Sequence, residues 1–261
     1  MIPRILYIPA FVGLALLVLP LAGLFLQVNW AELPALLLSP AALNPLALSV
    51  GTASVATVLC LLLGVPLAVV IARSRPRVAG VLRAVVTVPL VLPPLVGGIA
   101  LLSLLGRTGS IGQYLDLAFG LRIPFTTAAV VIAQTFVALP FLVIAVEGAL
   151  RTMGTRYDRV AATLGAGRFT VFTRITLPLV LPGLLAGTVL SFARALGEFG
   201  ATALFAGNQE GVTRTMPLAI YTAFNGSGVS TEQAVALALL LIAVAVIVLV
   251  LVGSRRTGAL S

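Results

Sequence analysis

Arg194 and Glu198 place opposite charges where charge is expensive. They stand four residues apart, one helical turn, in the stretch SFARALGEFGATALFAGN, which belongs to an apolar run over about 177–206. A charge inside a bilayer costs at least about 2.5 kcal/mol on insertion scales, so by default it faces protein or water and marks a site. An arginine there can attract an anion. The pair can also neutralise itself and fix helix packing, which suits Glu198 better, and a self-paired Arg194 offers less field.

A second constellation lies upstream, YDRVAATLGAGRFTVFTRITLP from Tyr157 to Pro178. Tyr157 to Leu164 contains no helix breaker and sets Val160 and Leu164 at i, i+4 on one face of a short helix. Gly165 and Gly167 permit a sharp reversal, because glycine reaches backbone angles closed to other residues. A second short helix is predicted beyond them, with Phe169 and Phe172 at i, i+3 and Arg168 and Arg174 at its ends. Thr176-Leu177-Pro178 is predicted to stop that helix and start the next apolar segment, since proline suits a helix's first turn. Two uses fit this shape. A rigid short helix with an apolar knob can seat in a partner's groove and transmit a push that a loose loop would absorb. Alternatively, an amphipathic helix can rest on lipid headgroups with its arginines toward anionic lipid.

These elements need a host, and composition says which. Of 261 residues 60% are hydrophobic and 9% charged, with a mean hydropathy of +1.19. A water-soluble domain of this size leaves too many residues facing solvent to hide that much apolar surface, so the chain is an integral membrane protein. All sixteen basic residues are arginine. Without lysine there is no GxxxxGK[ST] phosphate loop, so the chain itself is not expected to bind ATP. Without histidine, and with Cys60 alone, the usual zinc and haem ligand sets are missing and no metal is expected. Cys60 lies mid-segment and reads as a small buried hydrophobe. The net charge of +9 could suggest nucleic acid, but the arginines sit at segment ends, as membrane topology requires.

Crossing a hydrocarbon core of about 30 Å takes about 20 apolar residues. Six runs qualify, near 5–27, 46–72, 84–106, 124–147, 177–206 and 233–253, which predicts an all-α chain of six transmembrane helices forming one domain over 1–261. The first run could be a signal peptide headed by Arg4. It exceeds the usual apolar core of such peptides and no A-x-A site follows, so a retained helix is expected. Twelve of the sixteen arginines fall on one side if the N-terminus is cytoplasmic, leaving Arg107, Arg122 and Arg214 outside and Arg194 within a segment. That bias predicts cytoplasmic termini and a cytoplasmic loop over 151–176. Arg73, Arg75, Arg77 and Arg83 then read as topology determinants. Neither end holds residues enough for a regulatory domain, so inhibition by substrate within this chain is not expected.

Prolines punctuate the third run, AVVTVPLVLPPLVGGIALLSLLG, at Pro89, Pro93 and Pro94. Interior prolines free backbone carbonyls that need protein or water nearby, so the helix should bend and either line a pathway or simply pack. Gly183 and Gly187 form a GxxxG that lets two helices approach closely.

The loop resembles the EAA motif of permease subunits in ABC importers, E-A-A-x-x-x-G-x9-I-x-L-P. Counting from Gly165, Ala161 is the second alanine, and Ile175, Leu177 and Pro178 fall in register. Arg159 stands where the glutamate is expected and Val160 at the first alanine; Asp158 can supply the acid instead. The resemblance implies that Asp158, Arg159, Ala161, Leu164, Gly165, Phe169, Phe172, Ile175 and Pro178 form a coupling helix docking on an ATP-hydrolysing subunit. ARALGEFGATALFAGN, followed by GVTRTMPLAIYTAF at 211–224, narrows the likeness to permeases of molybdate importers, with sulfate and thiosulfate permeases next. Tungstate is indistinguishable from molybdate on these residues.

This resemblance implies the binding-protein-dependent ABC importer permease fold in a bacterial or archaeal cell membrane. It implies a homodimer with the pathway at the subunit interface, a cytoplasmic ATP-binding subunit holding ATP and magnesium, and an extracytoplasmic oxyanion-binding protein. Membrane lipid is the surrounding partner and nucleic acid is not. The pathway residues it suggests are Arg194, Glu198, Pro93 and Pro94, with Thr213, Arg214 and Thr215 either beside a docked binding protein or in a plain loop. An ion-coupled secondary transporter is the rival, which would call for paired repeats with broken helices at matching positions. A membrane-embedded enzyme is poorly served by a chain with no histidine and few acids.

Overall fold

In lipid every backbone polar group must find a partner within the protein, so the apolar runs become helices. The computed structural model describes residues 3–154, 156–226 and 231–257, and the side chains of residues 4, 158, 159, 162, 231, 249 and 251–257 lie outside that description. Among the described residues there is no strand. The longer helices are α1 (Tyr7–Leu26), α3 (Pro40–Arg73), α4 (Pro76–Val91), α5 (Pro94–Leu105), α7 (Thr127–Met153), α10 (Leu177–Leu196), α12 (Met216–Asn225) and α13 (Thr231–Thr257). Between them lie short α2 (Leu33–Leu37), α6 (Gly112–Phe119), α8 (Arg156–Thr163), α9 (Arg168–Val171) and α11 (Gly200–Phe205).

All six predicted runs are helical, and two of them are broken. α1, α3, α7 and a continuous helix over Arg168–Leu196 are each long and apolar enough to cross a membrane. The third run starts earlier than predicted and is a pair, α4 and α5, bent by 111°. The cause is local. Leu92 precedes Pro93 and Pro93 precedes Pro94, and a residue before proline is pushed out of the helical region. Leu92 and Pro93 accordingly take ψ of 136° and 135°. Pro89, by contrast, stays inside α4.

The fifth run is not one segment of thirty residues. α10 ends at Leu196, and α11 restarts at Gly200. The two breaks meet: a Cβ on Gly200 would lie 2.6 Å from the Pro94 Cβ, so only glycine allows α11 to start against the double proline.

α3, α7 and α10 make the core, with Ala53, Ala56, Cys60, Leu142, Val143, Val146 and Leu196 fully or nearly buried. The Cys60 thiol, buried as expected, donates to the Thr135 carbonyl, and the Ser191 hydroxyl donates to the Ala138 carbonyl. The GxxxG finds its partner inside the chain. Cβ atoms on Gly183 and Gly187 would lie 2.5 and 3.0 Å from the Cβ atoms of Ala149 and Ala145, so α10 and α7 touch nearly backbone to backbone. The Thr57 and Thr188 hydroxyls are satisfied within their own helices, donating to the carbonyls four residues back. A second cluster joins α5, α7 and α11, and a third joins α12, α13 and the start of α3.

Candidate functional site

The loop adopts the predicted reversal with one difference at its end. α8 covers Arg156–Thr163, close to the predicted first half. Gly165 has φ of +77°, a left-handed angle, and Ala166 N–H donates back to the Ala161 carbonyl at 3.1 Å to close the turn. Gly167 needs no such freedom: its φ is −66°, and it caps α9. The predicted stop at Thr176-Leu177-Pro178 is absent. Phe172–Thr176 forms a π-turn in which Leu177 N–H donates to the Phe172 carbonyl, five residues back, and the helix runs on into α10. Pro178 has no N–H for the usual pairing, and the wider turn accommodates it without ending the helix.

Val160, Leu164 and Phe169 are exposed, an apolar ridge along the outside of the hairpin, with Leu164 at 82% and Phe169 at 79%. Ala161 is buried, Phe172 and Ile175 are half-buried, and Pro178 is exposed. Phe169 stands on α9 and Phe172 opens the π-turn that follows it. The side chains of Asp158 and Arg159 lie outside the described residues.

At the far end of α10 sits the charged pair. Arg194 belongs to the last turn of α10, and its Nη1 meets Glu198 Oε2 at 2.5 Å. Glu198 is 1% exposed. Its other oxygen, Oε1, accepts from Ala201 N–H at 2.8 Å and so holds the first turn of α11. Both carboxylate oxygens are thus occupied, and Glu198 fixes the break between α10 and α11. Arg194 does more: with Pro93, Pro94, Gly97, Phe136 and Phe141 it lines a cavity of about 140 Å³. Three of the four pathway candidates are brought together, and Glu198 stands behind them. Along a helix rising about 1.5 Å per residue, the loop and this cavity lie roughly 30 Å apart on one continuous rod.

Other charged residues make contacts that residue order does not show. Arg83, read as a topology determinant, donates from Nε and Nη2 to Glu147, and Arg151 Nε adds a third bond at 2.6 Å. The i, i+4 spacing of Glu147 and Arg151 was there to be read; the α4 partner was not. Thr213 and Thr215 are fully buried, which removes them from any docking face, and Arg214 turns onto Asn208 and Glu210. A second broken helix was also not expected, so broken helices by themselves no longer weigh against a secondary transporter.

Family membership does. A profile described as "Binding-protein-dependent transport system inner membrane component" matches residues 64–258. The chain belongs to that family. It is 57% identical over 220 residues to the molybdenum transport system permease protein ModB of Mycobacterium tuberculosis (strain ATCC 25618 / H37Rv), covering 84% of this chain and 83% of that one. To the protein of the same name from Escherichia coli (strain K12) it is 43% identical, over 69% and 79% of the two chains. Among solved structures, a bacterial alginate ABC transporter in complex with an alginate-bound periplasmic protein aligns with TM-score 0.70 at 19% identity, covering 97% and 93%. The MetNI methionine ABC transporter in an inward-facing conformation aligns with TM-score 0.65 at 18% identity, covering 84% and 96%. This inner membrane component thus has the fold of ABC importer permeases, with the exposed hairpin and the arginine cavity at opposite ends of α10.

Proposed function

We propose that this chain is the transmembrane permease of an ABC importer for an oxyanion, molybdate ahead of tungstate, sulfate or thiosulfate. The observation that carries this reading is its kinship with the molybdenum permeases. The chain makes and breaks no bond; ATP and magnesium belong to a cytoplasmic partner subunit. A second copy of the chain completes the pathway, and an extracytoplasmic binding protein delivers the oxyanion. Both termini and the loop over 151–176 face the cytoplasm, the side on which the arginines concentrate.

The hairpin is the coupling element. Its ridge of Val160, Leu164 and Phe169 suits an apolar groove on the ATPase, and the helix it feeds carries displacement without a joint. A push there moves the end of α10 that holds Arg194 against α11 and Pro94. The guanidinium gives a passing anion one favourable contact, and Glu198 keeps that contact weak enough to release it.

Reconstituted vesicles holding the permease, its ATPase and its binding protein test the reading by molybdate uptake. Uptake should vanish when the ATPase is disabled at its nucleotide site. Uptake that persists, driven by an ion gradient instead, would establish the secondary-transporter rival.

A further inference from the structure

Between the end of α5 and the start of α7 lies an apolar hollow of about 320 Å³, walled by Leu102, Leu105, Leu121 and Phe125. Two arginines stand on its rim and share one acid. Arg107 Nε reaches Asp116 Oδ2 at 3.2 Å, and Arg122 Nε reaches Asp116 Oδ1 at 3.0 Å. Asp116 is mostly covered, whereas the two arginine side chains are 70% and 62% exposed. Among the described residues neither arginine has another polar partner. The rim therefore carries one uncompensated positive charge, with both guanidiniums presented outward.

The surroundings point to lipid. α5 carries no charged residue and α7 none before Glu147, so the ends that meet here are the ones at which the bilayer should give way to water. α6, crossing between them, exposes Tyr114, Leu117 and Phe119. A short helix with exposed aromatic and aliphatic side chains at that level lies in the interface rather than in solvent. We propose that this hollow binds an anionic phospholipid, with the headgroup phosphate on Arg107 and Arg122 and an acyl chain along Leu102, Leu105 and Phe125. Both halves of the ligand are matched: guanidinium is the side chain suited to phosphate, and the hollow takes the chain. An acidic protein partner would answer the charge but leave the apolar wall empty. The site needs only that α5 and α7 lie in the bilayer, so it stands apart from the substrate and from the direction of transport.

Asp116 competes with the phosphate, and that gives the test two opposite arms. The full chain, with whatever subunits co-purify, is reconstituted in nanodiscs of equal parts phosphatidylcholine and phosphatidylglycerol, and the bound lipids are counted by native mass spectrometry. The wild-type protein should retain phosphatidylglycerol over phosphatidylcholine, the more so at low salt. Arg107→Gln with Arg122→Gln should lose that preference, by roughly fivefold per arginine. Asp116→Asn should strengthen it. A cluster that only ties the loop together would move both variants the same way, and that result overturns the proposal. So does a wild-type protein with no preference, the outcome if a second copy or a binding protein covers the hollow. Should the double variant not fold, Asp116→Asn decides alone: a gain in phosphatidylglycerol supports the site, and no change or a loss removes it.

Discussion

Arg83 of α4 grips Glu147 of α7 at two points, Nε to Oε2 at 3.2 Å and Nη2 to Oε1 at 2.5 Å, across sixty-four residues of chain. The grip adds to a narrow apolar contact, in which Ala79, Leu82 and Val86 of α4 meet the core. Of the residues of α4 only Ala79 is buried, while Val78, Val81, Val85, Val88 and Val91 face outward. α4 leads straight into Pro93 and Pro94 at the cavity beside Arg194, so whatever holds α4 shapes that cavity. The polar clamp thereby acts on that cavity without touching it.

Glu147→Gln keeps the side chain's size and removes its charge. The amide can still accept one bond but cannot hold two guanidiniums with charge-assisted strength. Amide exchange over residues 76–91 should rise several-fold, with little change over α10. Equal exchange in the variant and the wild-type protein would mean that α4 is held by its apolar contacts alone.

The Asp116 cluster lies outside the spans, so acid reaches it. The hydrogen bond from Arg122 first, and then Arg107, hold the Asp116 carboxyl below its ordinary value of 3.8. A depressed carboxylate contributes stability that is fully present above the ordinary value and lost as pH falls through the lower, folded one. Pepsin, active in acid, should therefore leave the Leu117–Leu121 region intact near pH 5 and cut it progressively below about pH 4. Asp116→Asn keeps an acceptor oxygen for the arginines and cannot titrate, so its cutting should show no such step as pH falls. Protection in wild type that does not change with pH would show that the loop is ordered by packing instead.

Much of this arrangement could be read from residue order because membrane folding uses local rules. The apolar runs became helices, the arginine-rich hairpin turned at Gly165, and Val160 and Leu164, set on one face by their spacing, are both exposed. What could not be read depends on contacts between distant segments. Leu196 ends α10 because Glu198 pairs backward with Arg194 and forward with Ala201 N–H, and because Gly200 must clear Pro94. The partner of Arg83 could not be read because its acid lies on another helix. The run through Thr176 and Pro178 misled for a different reason: proline suits a helix start, but a π-turn lets it sit within a longer helix.

Arg194→Ala should lower oxyanion uptake on the order of tenfold, about 1.4 kcal/mol, while the amount of co-purified ATPase stays near normal. The single variant leaves buried Glu198 without its partner, so part of any loss could come from a disturbed α10–α11 break. Arg194→Ala with Glu198→Gln separates the two, since glutamine keeps an oxygen for Ala201 N–H and buries no charge. Uptake restored in the double variant would make Arg194 a neutralising residue. Uptake still low would leave the guanidinium as the group the anion meets.

Gly165 offers the sharpest test of coupling because its strain can be changed without a clash. Its φ is +77°, and no atom lies within 4 Å of where a Cβ would stand, so a substitution there is felt by the backbone alone. A β-branched residue in that conformation costs roughly 1–2 kcal/mol and would open the turn, whereas asparagine tolerates it. Gly165→Val should insert and assemble yet hydrolyse ATP with little uptake, because α8 and α9 no longer hold one angle. Gly165→Asn should import nearly as well as the wild-type protein. If the valine variant imports normally, the angle between the two short helices carries no force, and the stroke must enter by another contact.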